Sequence, residues 1–160
     1  MTDKQIKPYT PMQESIGMAF IKNYAKFQVF VYELTGGRLA SRFLGAPCCI
    51  LTTIGRKTGK PRKSPLLFLE DGDKVYMAGT KGGMSTVPVW YRNLQANPQC
   101  TVQIGANKRQ MTARTASDDE AARIWPLLDE MYKGYAEYRE RLAGIRVPPI
   151  IIFEDQNKPS

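Results

Sequence analysis

The sequence predicts an α+β fold in which antiparallel strands form a small barrel covered by a few helices. From residue 47 onward, short β-like segments follow one another with turn signals between them. Helical segments precede or interrupt this run of strands, but strands and helices do not alternate regularly. No repeat or linker divides the 160 residues. We therefore expect a single domain, with a polar N-terminus and an amphipathic helix in residues 1–40 and the barrel in residues 41–160.

The first helix is expected from Ser15 to Leu34, because helical periodicity stops at Gly36. Its apolar stripe consists of Phe20, Tyr24, Phe27, Val31 and Leu34. Such a stripe more often packs in the core than lies on a membrane, and we expect core packing here. The alternative is a basic amphipathic helix, with Lys22 and Lys26 away from the stripe, that makes peripheral contact with an anionic membrane.

The remaining elements follow from alternating hydrophobicity and from Gly, Pro and Asp breakers. Strands are expected at residues 49–54, 64–70, 74–79, 101–104, 109–115 and 150–153, and helices at residues 87–96, 118–131 and 134–142. Ser117 is expected to cap the second of these helices, because acidic residues follow it in the first turn.

The turn between the first two strands carries five basic residues and no acidic one. They are Arg56, Lys57, Lys60, Arg62 and Lys63. Fixed positive charge and free backbone N–H groups are what an anionic ligand requires. On the local sequence alone, a solvated hairpin tip is the simpler interpretation.

The net charge of +8 indicates an anionic partner, such as nucleic acid, acidic lipid or a phosphorylated small molecule. Basic residues are scattered except in this one turn, and the aromatic residues cluster elsewhere. We therefore expect a local anion site and no nucleic-acid partner. An RNA-binding protein is the alternative, and it would show a steep dependence of binding on salt.

The chain contains no histidine, which excludes histidine-based triads and general bases and most zinc sites. The three cysteines lack metal-ligand spacing, so we expect no metal site and a reducing, cytoplasmic location. Residues 1–10 are polar and lack the apolar region of a signal peptide. An enzyme of this composition is expected to rely on a bound cofactor for its chemistry.

Two further patterns are each weak alone. Lys81, Gly82 and Gly83 form a flexible turn before a short helix that carries Trp90 and Asn93, where simple packing is the alternative. Three tyrosines, Tyr132, Tyr135 and Tyr138, recur every third residue, so on one helix they would share a broad face. That face suits a flat, partly polar substrate, although a core stripe is the simpler interpretation.

Four segments in one order, LTTIGRKTGKPRKSPL, DGDKVYMAGTKGG, PVWYRNLQANP and MYKGYAEY, resemble the deazaflavin-dependent nitroreductases. These are split β-barrel reductases that use coenzyme F-420, and the resemblance covers residues 45–154. Within this family, the sequence resembles the branch that contains quinone- and nitroimidazole-reducing members. The resemblance implies an antiparallel, FMN-binding-like split β-barrel and an oxidoreductase. From the residues we expect a cytoplasmic protein, or a peripheral one on the inner face of the membrane if the first helix contacts lipid.

The resemblance also implies roles for individual residues. Arg56, Lys57 and Arg62, with Thr58 in the same loop, would hold the phosphate and the acidic oligoglutamate tail of the coenzyme. Pro65 would lie beside the deazaflavin ring, Lys81, Gly82 and Gly83 at its polar edge, and Val89, Trp90 and Asn93 around it. The catalytic residues would be Tyr132, Tyr135 and Tyr138, which would close over the acceptor, and Thr80.

The implied reaction transfers hydride from reduced deazaflavin to a small electron-poor acceptor: a quinone, an enone, or a nitroaromatic such as a nitroimidazole. Thr80 replaces a serine and Val89 a methionine of the family pattern, so the range of acceptors is expected to differ. Within the enzymes, an FMN-dependent or haem-degrading-type protein of the same barrel is an alternative. A protein that only carries deazaflavin or binds quinone is another, and it would bind coenzyme without turnover.

Overall fold

The computed structural model describes residues 6–156, which form an antiparallel sheet, four α-helices and one short 3₁₀ turn. The strands are β1 (Arg42–Phe43), β2 (Ala46–Ile54), β3 (Pro61–Leu67), β4 (Leu69–Asp71), β5 (Lys74–Ala78), β6 (Gln99–Ile104), β7 (Asn107–Thr115) and β8 (Ile150–Asp155). The helices are α1 (Pro11–Leu34), α2 (Val89–Ala96), α3 (Asp118–Met131) and α4 (Gly134–Leu142), and the 3₁₀ turn is Lys81–Gly83.

The eight strands form one sheet in the order β1-β2-β6-β7-β8-β5-β4, and β3 also pairs with β2. Every pairing is antiparallel. This half-barrel of antiparallel strands with covering helices confirms the predicted α+β split-barrel class. The longest pairing joins β2 to β3 from Cys48↔Leu67 to Ile54↔Pro61, so the basic turn lies at the end of a regular ladder.

Both faces of the sheet are buried, because neighbouring residues of the central strands face opposite sides. In β8, Ile151 and Phe153 join one apolar cluster, while Ile150 and Ile152 join the other. The first cluster includes Trp90 and Leu94 of α2, and we call it the α2 core. The second contains Tyr132, Tyr135, Leu128 and Tyr76, and we call it the tyrosine core. Each core therefore carries one group of the predicted site residues.

The position of α1 corrects the expectation that its apolar stripe packs in the core. Phe20, Phe27 and Leu34 are 72%, 65% and 73% exposed, whereas Gln28 and Tyr32 are buried. The hydroxyl of Tyr32 accepts a hydrogen bond from Gly105 N (2.7 Å) at the β6–β7 turn. The helix thus docks through the face that carries Tyr32 and leaves most of its apolar stripe in solvent. None of the helices within residues 6–156 combines the length and the apolar character needed to cross a membrane.

Smaller differences concern the boundaries. The strand expected at residues 64–70 is divided, because Phe68 leaves the ladder, is buried and donates its N–H to Pro47 O (3.3 Å). The β6–β7 turn is shorter than expected, since β7 begins at Asn107. The cap of α3 is as expected: Ser117 Oγ accepts from Glu120 N, and the Glu120 carboxylate accepts from Ser117 N.

Candidate functional site

The basic loop connects β2 and β3 and is held in a tight conformation by its own backbone. Gly55 N donates to Lys60 O (2.8 Å), and Gly59 N donates to Gly55 O (2.7 Å). A side chain at Gly55 would meet Thr58 Oγ1 at 2.9 Å and Lys60 O at 3.1 Å, so the turn closes only around a glycine there. The compact turn keeps its basic side chains near one another at the end of the sheet.

The predicted tail-binding residues of this loop all face solvent. They are Arg56, Lys57, Thr58 and Arg62. Among the five basic residues of the loop, only Lys63 has a carboxylate partner within residues 6–156, the side chain of Glu33 on α1. The remaining four cations carry charge that no protein carboxylate neutralises in that part of the chain. An exposed, uncompensated cluster of this kind fits phosphate and carboxylate groups.

Asn93 joins the basic loop to α2. Its side chain is 2% exposed, and its Oδ1 accepts from the backbone N of Arg56 (3.2 Å) and from Arg56 Nη1 (3.5 Å). Its Nδ2 donates to Thr53 Oγ1 (3.1 Å) on β2. Both ends of the amide are therefore used by the protein, and Asn93 supports Arg56 from behind the loop.

The other residues expected around the ring differ in how accessible they are. Val89, the first residue of α2, is 55% exposed. Pro65 lies on β3 opposite Ile50 and is half-buried. Trp90 is only 8% exposed and belongs to the α2 core, with its ring 6.3 Å from that of Tyr91 in an edge-on arrangement. Pro65 and Val89 thus offer surface to a ligand, while Trp90 contributes mainly packing.

The turn at Lys81–Gly83 has an unusual backbone. Thr80 is right-handed (φ −81°, ψ −28°), and Lys81, Gly82 and Gly83 follow with φ of 49°, 63° and 83°. A right-handed residue followed by a left-handed one turns successive N–H groups toward one concavity that binds negative charge. Lys81 Nζ lies beside the turn and donates to Thr86 Oγ1 (2.7 Å), and burial lowers the pKa of this ammonium group.

The three predicted tyrosines meet in space. The ring centres of Tyr132 and Tyr135 are 5.1 Å apart, those of Tyr132 and Tyr138 5.9 Å, and those of Tyr135 and Tyr138 6.3 Å. The hydroxyls of Tyr132 and Tyr138 share a hydrogen bond of 2.8 Å. Burial raises the pKa of both the Tyr135 and the Tyr138 phenol, so both stay neutral and able to donate at physiological pH.

Their arrangement is not the single helical face that the spacing predicted. Tyr132 is the residue after α3, whereas Tyr135 and Tyr138 lie on α4. At the break between the two helices the Tyr132 ring lies against Gly134, where a Cβ would be only 2.5 Å from the ring, so a glycine fits there. The cluster is therefore built from two helices folded against each other.

The Lys81–Gly83 turn lies against the helix that carries two of the clustered tyrosines. Gly83 lies against α4, where a Cβ on it would be 3.5 Å from the Cα of Tyr138 and 3.1 Å from the Cδ of Arg141. Thr80 is buried at the start of the turn. The basic loop forms a second group, and α2 connects the two, since it follows the turn in the chain and reaches the loop through Asn93.

Two arginines near this site were not predicted from the sequence. Arg146 donates to the carbonyls of Gly79 (2.9 Å), Thr80 (3.0 Å) and Met84 (3.0 Å). Arg141 donates to Lys7 O (2.7 Å) and stacks over the Tyr9 ring, which ties the segment before α1 to α4. The sequence around Arg141 gives no signal of this role. Arg146 is the single charged residue in the run 145–153, which is the one local sign of it.

The fold defines a class, the split-barrel proteins, and the basic loop adds an exposed cluster of cations that no carboxylate within residues 6–156 neutralises. The family model described as F420H(2)-dependent quinone reductase matches residues 24–153. The chain belongs to the F420H(2)-dependent quinone reductase family, which confirms the resemblance inferred from the sequence. The cofactor of this family is coenzyme F-420, and its members are oxidoreductases.

Individual relatives agree with this placement. The chain is 34% identical over 127 residues to an F420H(2)-dependent quinone reductase of Mycobacterium tuberculosis, and the match covers 77% of this chain and 84% of the relative. A solved structure of an F420-H2 dependent reductase, FDR-A, is 38% identical and covers 71% of this chain and 98% of its own, with a TM-score of 0.63. A second structure, described as a domain-swapped dimer, is 32% identical and covers 86% and 99%, with a TM-score of 0.64.

Proposed function

We propose that this protein reduces a quinone or a similar electron-poor acceptor with coenzyme F-420 as the hydride source. The observation that carries the proposal is the buried tyrosine cluster placed directly against the Lys81–Gly83 turn. When bound, reduced coenzyme F-420 supplies a hydride from C5 of its deazaflavin ring. The protein's own residues then have to bind, orient and provide hydrogen-bond donors.

The basic loop is the proposed binding site for the anionic tail. Arg56, Lys57 and Arg62 are exposed, and Arg56 is held from behind by Asn93. Arginine offers a planar set of donors that matches phosphate and carboxylate oxygens, and the support from Asn93 reduces the entropy lost on binding. Thr58 Oγ1 accepts from Lys60 N (3.3 Å) and so helps to hold the loop closed.

The Lys81–Gly83 turn is the proposed site for the polar edge of the ring. Its converging N–H groups and the nearby Lys81 ammonium group attract the partial negative charge of ring oxygen and nitrogen atoms. Pro65 and Val89 supply accessible apolar surface on which a flat ring can rest. Trp90 and Asn93 act from beneath, by packing and by support of the loop.

The tyrosine cluster is the proposed site for the acceptor. One hydroxyl of the Tyr132–Tyr138 pair donates to the other, so the second retains its hydrogen for an acceptor oxygen. The Tyr135 and Thr80 hydroxyls are further donors. Hydrogen bonds to the oxygen on which negative charge develops lower the barrier to hydride transfer, and the proton that completes the hydroquinone comes from a phenol or from water.

A binding and turnover experiment tests this function. Oxidised coenzyme F-420 is titrated into the protein and followed by its fluorescence, with FMN as a competitor, and menadione is then added to the reduced complex. Saturable binding that FMN does not displace, followed by reoxidation that depends on menadione, is the expected result. Binding without reoxidation of the coenzyme by any quinone tested would indicate a carrier instead, and the absence of binding would refute the proposal.

A second proposal concerns α1: we propose that its exposed apolar stripe makes peripheral contact with an anionic membrane. Large apolar side chains including Phe20, Phe27 and Leu34 are exposed along the helix, and Lys22 and Lys26 add positive charge. Apolar burial combined with attraction to acidic headgroups is what holds such helices at a bilayer surface. The protein would then encounter a lipid-soluble quinone at the surface of the membrane in which the quinone is dissolved.

Co-sedimentation with vesicles tests the membrane proposal. Vesicles that contain phosphatidylglycerol should bind the protein, and F20E should reduce binding strongly, because it places a carboxylate in the apolar stripe. The matched control is L127E, which adds the same charge at a half-exposed apolar residue of α3 (43% exposed). Equal binding by the two variants would show that α1 is not the contact surface.

A further inference from the structure

Arg146 lies between α4 and β8, and none of the roles described above uses it. Its guanidinium group donates four hydrogen bonds to three main-chain carbonyls: Gly79 O (2.9 Å), Thr80 O (3.0 Å) and Met84 O (3.0 and 3.3 Å). These carbonyls lie before and after the Lys81–Gly83 turn. A single half-buried side chain therefore ties together both ends of the turn.

The turn is a conformation that needs such support. Three successive residues have positive φ, and the first of them, Lys81, has a Cβ that makes this region unfavourable. The segment around Arg146 also closes the turn from below. Gly79 N donates to Pro149 O (2.8 Å), and a Cβ on Gly79 would lie 2.9 Å from the ring of Pro149.

The hydrogen bonds of Arg146 also determine which polar groups of the turn remain for a ligand. Arg146 occupies three carbonyl oxygens, whereas the N–H groups of Gly83 and Met84 donate within the turn, to Thr80 O (2.9 Å) and Lys81 O (3.1 Å). Among residues 6–156, the backbone N–H groups of Lys81 and Gly82 donate to no protein acceptor. Backbone N–H donors of the turn therefore remain available to a ligand, whereas the neighbouring carbonyl acceptors are already hydrogen-bonded to Arg146. This arrangement favours a ligand edge that carries negative charge.

We propose that Arg146 is a positioning residue that holds the Lys81–Gly83 turn in the conformation that binds the polar edge of the coenzyme ring. The inference rests on the proposed function for the identity of the ligand, but not for the conformation of the turn. Lysine cannot replace this arginine fully, because an ammonium group is a point charge, whereas the planar guanidinium group reaches three carbonyls at once.

Hydrogen exchange tests the conformational part without any coenzyme. In R146Q, the amides of Gly83 and Met84 should exchange at least about tenfold faster, the factor that corresponds to ~1.4 kcal/mol of local opening. The amides of β6 and β7 should exchange as in the wild type. If Gly83 and Met84 exchange at wild-type rates in R146Q, Arg146 does not hold the turn. Should R146Q fail to fold, R146K serves in its place, with a smaller acceleration confined to the same two amides.

Coenzyme affinity tests the functional part. Fluorescence titration with oxidised coenzyme F-420 should give a dissociation constant raised at least about tenfold in R146Q, with R146K between it and the wild type. The matched control is R109Q: Arg109 is, like Arg146, half-buried (its side chain is 16% exposed) and donates to a carbonyl, Asp73 O (2.8 Å), and to the Asp155 carboxylate, away from this turn. R109Q should lower the melting temperature and leave coenzyme affinity unchanged.

The two measurements separate the two claims. An unchanged dissociation constant in R146Q, or an equal loss of affinity in R109Q, would overturn the positioning role. Wild-type protein that does not bind coenzyme F-420 would refute the proposed function, while the exchange rates of Gly83 and Met84 would still decide whether Arg146 holds the turn.

Discussion

At the scale of single residues, burial determines what the tyrosines of the site are able to do. Tyr135 is 4% exposed, and burial raises its pKa, as it does for the half-buried Tyr138. A raised pKa means that each phenol keeps its proton until the pH rises past the ordinary tyrosine value of about 10. At neutral pH both phenols are therefore protonated and able to donate a hydrogen bond.

The first prediction is that Y135F slows acceptor reduction while it preserves coenzyme affinity. Loss of one donor to a developing negative charge should lower kcat with menadione by at least about tenfold. Stopped-flow reoxidation of the reduced complex measures the rate, and fluorescence titration measures the affinity. Y24F, on the exposed side of α1, is the control and should leave both unchanged. Unaltered turnover in Y135F would remove Tyr135 from the acceptor site.

The basic loop leads to a second prediction at the same scale. R62A should weaken coenzyme binding by about tenfold at low ionic strength and by less at 1 M salt, because exposed charges are screened. The control is K108A, which removes an exposed positive charge of β7 outside this loop. Titrations at the two salt concentrations check the result. Equal affinities of R62A and K108A at low salt would mean that the loop does not hold the anionic tail.

At the scale of elements, the break between α3 and α4 shapes the tyrosine cluster that we propose as the acceptor site. An uninterrupted helix would present the three tyrosines in one row, whereas the break folds Tyr132 back onto Tyr135 and Tyr138. The space beside Gly134 is filled by the Tyr132 ring, and glycine is the residue that fits there. The sequence indicates a weakness at Gly134 but not the direction in which the chain turns.

The third prediction is that G134A destabilises the protein although alanine is the better helix former. In a helix interior alanine gains about 1 kcal/mol over glycine, and less is gained at Gly134 because it is the first residue of α4. The new methyl group would lie 2.5 Å from the Tyr132 ring. Displacing a packed ring costs about 1–3 kcal/mol, so the net change should be a lower free energy of unfolding. G17A in α1 is the control, since the atom nearest its methyl group is the flexible end of Met84. Denaturant unfolding measures both, and a stabilised G134A would contradict the packing argument.

The fourth prediction concerns the start of α3. Hydrogen bonds from Arg114, and then from Ser117, lower the pKa of Glu120 to about 2 from the ordinary 4.5. A carboxylate whose pKa is lower in the folded state than in the unfolded chain stabilises the folded state at pH values above 4.5. This stabilisation is lost as the pH falls through about 2. E120Q should therefore melt at a lower temperature than the wild type at pH 7, and the difference should shrink below pH 4.5. A difference that does not change with pH would exclude this charge effect.

At the scale of the whole molecule, the sheet separates the two parts of the site. The α2 core lies on one face, beside Asn93 and the basic loop that Asn93 contacts, while the tyrosine core on the other face contains the proposed acceptor site. The two-residue period of β5 and β8 sends neighbouring side chains to opposite cores. In the proposed function, the acceptor and the charged cofactor tail would thus be held by separate cores that share one sheet.

Much of this molecule was readable from the sequence. The order of strands and helices, the cap at Ser117, the basic loop and the four family motifs all depend on residues close together in the chain. Local spacing determines local conformation, so these predictions agree with the structure to within a few residues. The family resemblance then supplied the split barrel and the coenzyme, which periodicity alone does not identify.

Only the tertiary structure decided how these parts meet. The exposed stripe of α1, the packing of Trp90, the fold-back of Tyr132 and the bonds of Arg146 to Gly79 and Met84 each depend on residues distant in sequence. A helix with apolar residues on several sides does not reveal which side will dock, and an isolated arginine does not reveal which carbonyls it will reach. The sequence by itself determined the elements and their chemistry; long-range packing decided which side chains are buried, and therefore which remain free to bind a ligand.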